Sequence, residues 1–462
     1  MSSNSKVLSN RIVQLANLIF IVGLIISILM VPYGVYKFYF VRKGPIGLIL
    51  IAVMIGFSFA VLFGLGLRLK ENTKVNVALS IVSMVISIYA LEIFLTFWPG
   101  RGIPQRIGKS ENISFDKREK LEVINDLIKD GVAAYPNPIP MEYLKEFINK
   151  NSQVFPLGGI SDKTIVHCNE SGSWSIFKSD EHGFNNPKGF YAPHQVDVLL
   201  IGDSFTEGAC VESNENMGAI LRQKGFKAIS LAKGGNGPLL ELATLIEYAK
   251  DIKPKIVFWM YFEGNDLTGL NEEESFAFLK KYLNEDDFLQ NLMVRQDDID
   301  RLLIAYVEEQ KGKKESKEIE AVAQQPIRFD LKGMLELDHV RAKTKLSLPN
   351  PATPPPPIFK KIMKKAKRIV ESWGGKLYFV YLPERSRYMV DEDQLFRDPK
   401  ARKYVLEIIS ELNIPIVDIH QEFLSHSDPL SFFPPHAAHY NAAGHFLVAE
   451  RVAHRLRQDG FK

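Results

Sequence analysis

Two residues of the sequence, a serine and a histidine, have the chemistry of a nucleophile and its base. Ser204 follows an apolar run in LLIGDSFTEG, and His439 lies near the C-terminus in FFPPHAAHYNAAGH. A serine hydroxyl becomes nucleophilic when a histidine within hydrogen-bond reach takes its proton and later returns it to the leaving group. Each residue alone has a simpler explanation, because Asp203 and Ser204 can cap a helix and His439 can be an ordinary surface or core histidine.

Two other positions offer hydrogen-bond donors to a developing oxyanion. Gly235 in SLAKGGNGP can present an unobstructed backbone N–H, and Asn265 in YFEGND can present a side-chain amide. With the N–H of Ser204 they make three donors, and one well-placed donor lowers a reaction barrier by about 3 kcal/mol. GGNG and GND are also ordinary turn sequences, so the interpretation depends on the conjunction of these blocks.

The histidines near the C-terminus raise the alternative of a metal site. His436, His439 and His445 lie close together, but no acidic or cysteine residue stands at ligand spacing beside them. We therefore predict no metal and no other cofactor. Cys168 and Cys210 are too few for a zinc ribbon or a disulfide scaffold. We expect them to be unpaired, and one disulfide is the alternative if the domain faces an oxidising compartment.

Five short apolar runs, separated by helical segments, predict a parallel α/β sheet that would position these residues. Ser204, Gly235 and Asn265 follow the first three runs, and open α/β sheets bind ligands at the carboxyl ends of their strands. An insertion, residues 267–375, separates the third run from the fourth and is typical of a lid, a partner surface or a linker. The runs are residues 196–201, 226–231, 256–261, 377–382 and 414–419.

Three apolar stretches before residue 100 each have the length needed to cross a bilayer. They are residues 12–31, 46–67 and 75–98. Basic residues flank the stretches on both sides, so the charge pattern does not fix their orientation. A net charge of +3 without a basic stripe excludes the nucleic-acid-binding class. The predicted domains are a three-span membrane region (1–100), a membrane-proximal stalk with a small β unit (101–190) and a catalytic domain (191–462).

The four blocks, in this order, resemble the SGNH or GDSL hydrolase superfamily, with Ser204, Gly235, Asn265 and His439 in the four name-giving positions. The phrases SDEHGFNNP, GDSFTEG, GPLLEL and FEGND also resemble bacterial members that have N-terminal membrane spans. The resemblance covers about residues 195–462. It implies a flavodoxin-like three-layer α/β/α sandwich that acts on acyl esters, often of cell-envelope glycans. It also implies a multi-pass protein of the bacterial cytoplasmic membrane whose soluble domain lies outside the cytoplasm.

One position departs from the pattern of the superfamily. An aspartate usually stands three residues before the catalytic histidine and orients its ring, but this sequence has His436 there. An imidazole cannot replace an anionic acceptor. We expect Asp428, in HSDPL, to orient His439 instead, and a backbone carbonyl is the alternative.

The sequence thus predicts a serine esterase or O-acyltransferase that acts on an acylated carbohydrate or glycolipid through an acyl-Ser204 intermediate. A transferase with three spans would need an external acyl donor or a membrane partner protein. The first alternative is a catalytically weak or inactive subunit that binds glycan or scaffolds an envelope assembly, which His436 favours and the other site residues oppose. The second alternative, a membrane-anchored interaction protein, explains only the insertion.

Overall fold

A computed structural model of the chain describes residues 3–36, 46–97, 116–321, 337, 340, 354–389, 399–435 and 437–461. His436 and the junction at residues 98–115 lie outside the described residues. The chain divides into two compact units. The first comprises Met1–Gln105, Pro326–Thr353 and Leu395–Asp398, and the second comprises Arg106–Gln325, Pro354–Gln394 and Pro399–Lys462.

The first unit contains three long apolar helices. They are α1 (Ser3–Val35), α2 (Ile46–Gly66) and α3 (Glu71–Phe97). Each is long and apolar enough to cross a membrane, which confirms the three apolar helices predicted from the sequence. Phe20 packs edge-on against Phe63 with ring centroids 6.1 Å apart. Lys74 Nζ donates to Asn17 Oδ1 at 2.8 Å, so two polar groups between the helices satisfy each other.

Residues 116–190 form the start of the second unit, the α/β unit. The elements are α4 (Lys120–Lys129), β1 (Ala134–Pro136), α5 (Pro140–Asn149), β2 (Thr164–Val166) and β3 (Ile176–Lys178). The strands make a small sheet in which β1 and β2 are parallel and β3 is antiparallel. Tyr143, Leu144 and Phe147 of α5 are buried in the same apolar core as the main sheet. Residues 140–149 of this segment therefore pack with the α/β unit.

The main sheet has five parallel strands in the order β5-β4-β6-β7-β8. Val198 pairs with Ala228 on one side of β4 and with Ile256 on the other. A single helical turn, α6 (Ser204–Glu207), follows β4 at its carboxyl end. The order is flavodoxin-like, so the predicted fold class is confirmed. The strands are β4 (Val198–Gly202), β5 (Ala228–Ser230), β6 (Ile256–Phe262), β7 (Lys376–Leu382) and β8 (Ile416–Asp418).

Helices cover both faces of this sheet, because alternate side chains of each buried strand point to opposite sides. Leu199 and Ile201 of β4 enter one apolar core, and Val198 and Leu200 enter the other. The second face is covered by α7 (Met217–Gln223), α15 (Ile419–Ser425) and α16 (Ala442–Gln458).

Among the described residues, seven helices cover the first face, and residues 267–321 and 354–375 of the insertion contribute to them. These helices bury apolar side chains against the sheet, so much of the insertion is part of the core. They are α8 (Pro238–Thr244) with its π-helical extension Leu245–Ala249, α9 (Lys250–Ile252), α10 (Asp266–Glu273), α11 (Ala277–Asn284), α12 (Gln296–Ala321), α13 (Pro357–Ser372) and α14 (Pro399–Glu411).

Candidate active site

The turn after β4 presents Ser204 at the carboxyl end of the sheet. Gly202 is needed there, since a Cβ would lie 2.4 Å from Thr206 Oγ1 and 3.0 Å from the Met260 carbonyl oxygen. The Asp203 carboxylate accepts the Phe205 N–H at 2.9 Å and caps α6. The helix-capping explanation therefore holds for Asp203, while the Ser204 hydroxyl contacts a histidine.

The structure brings together the predicted serine and histidine. His439 Nε2 lies 2.9 Å from Ser204 Oγ, which is hydrogen-bond distance. The loop that holds His439 ends where the Asn441 side chain accepts the Gly444 N–H at 3.1 Å and caps α16. The imidazole packs on the Phe205 ring with centroids 4.9 Å apart. The His439 side chain is 21% exposed, so a substrate can reach the pair from solvent.

The other ring nitrogen of His439 meets Glu170, a residue that the sequence analysis missed. Glu170 Oε1 lies 2.8 Å from Nδ1, and Oε2 accepts the backbone N–H groups of Ala438 and His439 at 3.2 and 3.1 Å. A proton held on Nδ1 leaves Nε2 free to accept the proton of Ser204. Partial burial raises the pKa of Glu170, but the hydrogen bonds and charge of His439 outweigh it and hold the pKa below its ordinary value.

Asp428, which the sequence analysis expected to orient the ring, has a different role. Its side chain accepts the Leu430 N–H at 3.1 Å and caps the short 3₁₀ helix Pro429–Phe432. Aspartate before proline favours such a local cap, because its short side chain reaches the next free backbone N–H groups. The structure therefore replaces Asp428 with Glu170 as the carboxylate beside His439.

A disulfide holds the loop that carries Glu170, residues 167–175. Cys168 is bonded to Cys210, so the structure supports the disulfide alternative and not the expected unpaired cysteines. Ser175 Oγ also donates to the Val211 carbonyl oxygen at 2.7 Å. Because Cys210 follows α6 closely, these links fix the loop to the segment that begins at Ser204.

The Cys210 sulfur lies 3.9 Å from Nδ1 of His439, and both residues lie near Glu170. A bonded sulfur is not a thiolate, so these three side chains do not form a ready metal site in this state. The two cysteines were the feature of the sequence that could have identified Glu170 as a site residue. Pairing Cys168 with Cys210 would have placed the residue two positions after Cys168 next to the turn that contains Ser204.

The loop after β5 passes directly beside Ser204. A Cβ on Gly234 would lie 3.9 Å from the Cβ of Ser204. Gly235 has a φ of 75°, in the left-handed region that favours glycine. The N–H groups of Gly234, Asn236 and Gly237 each have an acceptor, but that of Gly235 donates to no residue that the structure describes. Gly235 therefore keeps a free donor at the place where the sequence predicts one.

Asn265 follows β6 and stands at the start of α10. Gly202 of β4 pairs with Met260 of β6, so the carboxyl ends of these two strands lie side by side. Within the described part of the chain, Asn265 Oδ1 is buried without a hydrogen-bond partner. Burial raises the pKa of Asp203 to about 6, and a hydrogen bond from the Asn265 side chain opposes this rise. The Asn265 amide therefore lies beside the residue that precedes Ser204. Ser204, Gly235 and Asn265 thus follow three adjacent strands at one edge of the sheet.

A buried ion pair supports the glycine loop, residues 231–237, which connects β5 to α8. Lys233 Nζ lies 2.7 Å from Glu207 Oε1, and both side chains are fully buried. The other Glu207 oxygen accepts the Gly234 N–H at 2.7 Å, and the Asn137 amide donates to Oε1 at 3.0 Å. Burial raises the pKa of Glu207, but the charge of Lys233 outweighs it and keeps the carboxylate ionised. The pair therefore fixes the backbone beside Gly235, and neither residue was singled out from the sequence.

The phrase SDEHGFNNP attaches the upstream segment to the main sheet. The Asn186 side chain donates to the Ser230 carbonyl oxygen and accepts the Ser230 N–H, both at 2.8 Å, along the edge strand β5. Asn185 Nδ2 donates to the Glu207 carbonyl oxygen at 3.0 Å. Burial raises the pKa of Asp180, which accepts hydrogen bonds from this turn, to about 6. These contacts hold the segment that contains Glu170 against the sheet.

His445, the third histidine of the predicted C-terminal group, lies in the core. It is fully buried, and burial lowers its pKa to about 3. Its ring packs edge-on against Tyr440. His445 is therefore a neutral packing residue and does not contact Ser204.

Comparisons with known proteins give structural matches only. No family model and no curated protein matches the chain. It is similar to a G-D-S-L family protein from Desulfitobacterium hafniense, at 15% identity over 56% of this chain and 97% of that one, with a TM-score of 0.29.

Two other solved structures match in the same range. A GDSL-like lipase from Bacteroides thetaiotaomicron is 8% identical over 57% of this chain and 88% of that one, with a TM-score of 0.30. A mutant acetyl-xylooligosaccharide esterase from Geobacillus is 14% identical over 59% and 98%, with a TM-score of 0.29. The chain is thus similar to solved structures of GDSL-type lipases and esterases, the class that its four motif blocks resemble.

Proposed function

We propose that the chain is a membrane-anchored serine esterase in which Ser204 is the nucleophile. One observation carries the proposal, namely two consecutive hydrogen bonds through the His439 ring. Glu170 Oε1 lies 2.8 Å from His439 Nδ1, and His439 Nε2 lies 2.9 Å from Ser204 Oγ. An acid, a histidine and a serine in this geometry can move a proton away from the hydroxyl as it attacks.

The reaction proceeds in two halves. Ser204 Oγ attacks the ester carbonyl carbon, and its proton passes to His439 Nε2. The tetrahedral oxyanion accepts hydrogen bonds from the N–H groups of Ser204 and Gly235 and from the Asn265 amide. The C–O bond to the alcohol then breaks, and the alcohol leaves with the proton from Nε2. Water, deprotonated by the same nitrogen, releases the acid from acyl-Ser204.

The substrate that we propose is an acyl ester of a carbohydrate or a glycolipid, as the resemblance of the motif blocks implies. An O-acyltransferase would form the same acyl-Ser204 and differ only in the second acceptor. Transfer would also require an acyl donor, which a membrane partner protein could supply. Hydrolysis needs only water, so we propose the esterase.

We also propose that the α/β unit lies outside the cytoplasm of a bacterial cell, anchored in the cytoplasmic membrane. The Cys168–Cys210 disulfide supports this location, because disulfides persist mainly in oxidising compartments. Three spans would place the N-terminus in the cytoplasm. An alkaline phosphatase fused after Lys462 should be active in cells, and activity only of a cytoplasmic reporter would contradict the proposed orientation.

The non-catalytic alternative loses its main support. It was based on His436 standing where an acid is usual, and Glu170 supplies a carboxylate at Nδ1 from a different segment.

Ester hydrolysis by the full-length chain in lipid nanodiscs tests the proposal. We expect turnover of p-nitrophenyl acetate and of acetylated oligosaccharides, and a loss of about 10³-fold or more in kcat for Ser204→Ala. Ser213→Ala, at an exposed serine, is the matched control and should retain full activity. Equal turnover by the parental chain and Ser204→Ala would contradict the proposal.

A further inference from the structure

A large cavity in the α/β unit lies between α4, the segment after β1, and α12. Its volume is about 830 Å³, within the range of about 300–1,000 Å³ that small-molecule sites occupy. Of the 21 residues that line it, 14 are apolar, aromatic or glycine. The apolar and aromatic side chains in its wall include Leu121, Ile124, Tyr135, Ile139, Tyr306 and Val307.

The cavity shares a wall with the glycine loop of the active site. Ile139 lines the cavity, and its Cγ2 lies 3.2 Å from the position that a Cβ on Gly235 would occupy. Asn137, also in the wall, donates to Glu207 in the buried ion pair. Trp174 lines the cavity from the loop of residues 167–175. The elements that build the site thus also build the cavity.

The chemistry of the wall favours a hydrocarbon chain. Both Ile124 and Ile128 line the cavity, and Ile124 is buried whereas Ile128 is 48% exposed. Covering such apolar surface with another apolar group is favourable in proportion to the area removed from water. A carbohydrate would instead need polar partners for each of its hydroxyl groups, and apolar side chains predominate here.

The position of Gly235 indicates which part of an ester would enter. In the tetrahedral state the former carbonyl oxygen lies at the Gly235 N–H, and the acyl chain leaves from the same carbon atom. The Ile139 side chain lies within 4 Å of the position that a Cβ on Gly235 would occupy, so Ile139 is the part of the cavity wall that an acyl chain passing Gly235 would contact. We propose that this cavity binds the acyl chain of the substrate, so that the esterase prefers medium or long acyl groups to acetyl groups. This inference rests on the function proposed above.

Chain-length preference of the full-length protein in lipid nanodiscs tests the inference without competition from detergent. The substrates are p-nitrophenyl acetate, butyrate and octanoate. Each buried methylene can raise kcat/KM by up to about fourfold, so we expect octanoate to exceed acetate by about tenfold or more. Val307→Trp, which narrows the cavity, and Ile128→Asp, which makes its exposed part polar, should each lower the octanoate-to-acetate ratio by about fivefold or more.

Leu424 supplies the matched controls, because it is 55% exposed on α15 and does not line the cavity. Leu424→Trp and Leu424→Asp should leave the ratio at its parental value. Ile128→Asp changes a half-exposed side chain, so it remains informative even if Val307→Trp fails to fold. An unchanged ratio in a folded cavity variant, or a parental octanoate-to-acetate ratio near or below one, would overturn the inference.

A binding readout separates this inference from the proposed function. A diazirine-labelled octanoic acid, photolysed with the Ser204→Ala chain, should crosslink within residues 119–142, at Trp174 or within residues 306–311, and Val307→Trp should reduce the yield. If the parental chain hydrolyses no ester but the crosslinks form as expected, the esterase proposal is refuted and the cavity remains an acyl-chain site. Crosslinks distributed outside these residues would refute the cavity assignment.

Discussion

Replacing Glu170 by glutamine separates the shape of this side chain from its charge. Glu170 accepts three hydrogen bonds. One comes from Nδ1 of His439, and two come from the backbone N–H groups of Ala438 and His439. If the glutamine oxygen keeps the two backbone bonds, its NH₂ group faces Nδ1 and forces the ring proton to Nε2. A protonated Nε2 cannot accept the proton of Ser204.

If the glutamine side chain instead turns its oxygen to Nδ1, its NH₂ group faces two N–H donors and both backbone bonds are lost. Each lost bond to a charged acceptor costs about 1.5–3 kcal/mol. Either arrangement disfavours the tautomer or the orientation in which the His439 ring can accept the proton of Ser204. We expect Glu170→Gln to lower kcat by about 10²- to 10⁴-fold, or about 3–5 kcal/mol of transition-state stabilisation, with little change in KM. The loss in kcat is about 10²-fold if water reaches the side chain at position 170, since the Glu170 side chain is 28% exposed.

The assay is hydrolysis of p-nitrophenyl acetate by the full-length chain, with the thermal unfolding midpoint measured in parallel. Asp428→Asn is the matched control, since its carboxylate only caps a turn, and its kcat should stay within about twofold of the parental value. His436→Asp should give no gain, because Nδ1 already has an anionic acceptor. A kcat for Glu170→Gln within about threefold of the parental value, with Asp428→Asn impaired, would refute this assignment of the acid.

Three further changes test the surroundings of the site. Cys168→Ser combined with Cys210→Ser, or reduction of the parental chain, should lower kcat about ten- to a hundredfold at similar KM, because the loop that holds Glu170 loses its covalent link. Lys233→Met should cost about 3–5 kcal/mol of unfolding free energy by leaving Glu207 buried and unpaired, and adding Glu207→Gln should recover part of it in chemical denaturation. Burial and nearby acids raise the pKa of Glu241 well above 4.5, so the folded chain keeps a proton that the unfolded chain releases. Stability should therefore fall as pH rises above about 4.5, and Glu241→Gln should shrink the difference in thermal midpoint between pH 5 and pH 8.

Local sequence patterns were sufficient for the sheet and for the residues at its edge. The runs that became β4, β5 and β6 are short and mainly apolar, and glycine or asparagine follows each of them, so strand ends and the positions of Ser204, Gly235 and Asn265 could be predicted together. His439 was found because it precedes a helix whose start Asn441 marks. In each case the decisive residues lie within a few positions of the element that places them.

Glu170 could not be found in this way, because it meets His439 across 269 positions of the chain. Its position depends on the disulfide and on the contacts of Asn186 with Ser230, which are tertiary contacts. Asp428 was the nearer acid in the sequence, and its local cap with Leu430 prevailed over a contact with the imidazole. Lys233 was passed over because a lysine in a glycine loop ordinarily points to solvent, whereas here Glu207 neutralises it in the interior.

Covalent labelling tests most directly whether Ser204 is an activated nucleophile. The full-length chain in lipid nanodiscs is treated with a fluorophosphonate, and intact-mass and peptide mass spectrometry locate the adduct. We predict one adduct per chain on Ser204, no adduct in Ser204→Ala, and labelling slowed in His439→Ala and in Glu170→Gln but not in Asp428→Asn. A folded parental chain that remains unlabelled, or one labelled at another residue with Ser204 intact, would contradict the proposed catalytic site.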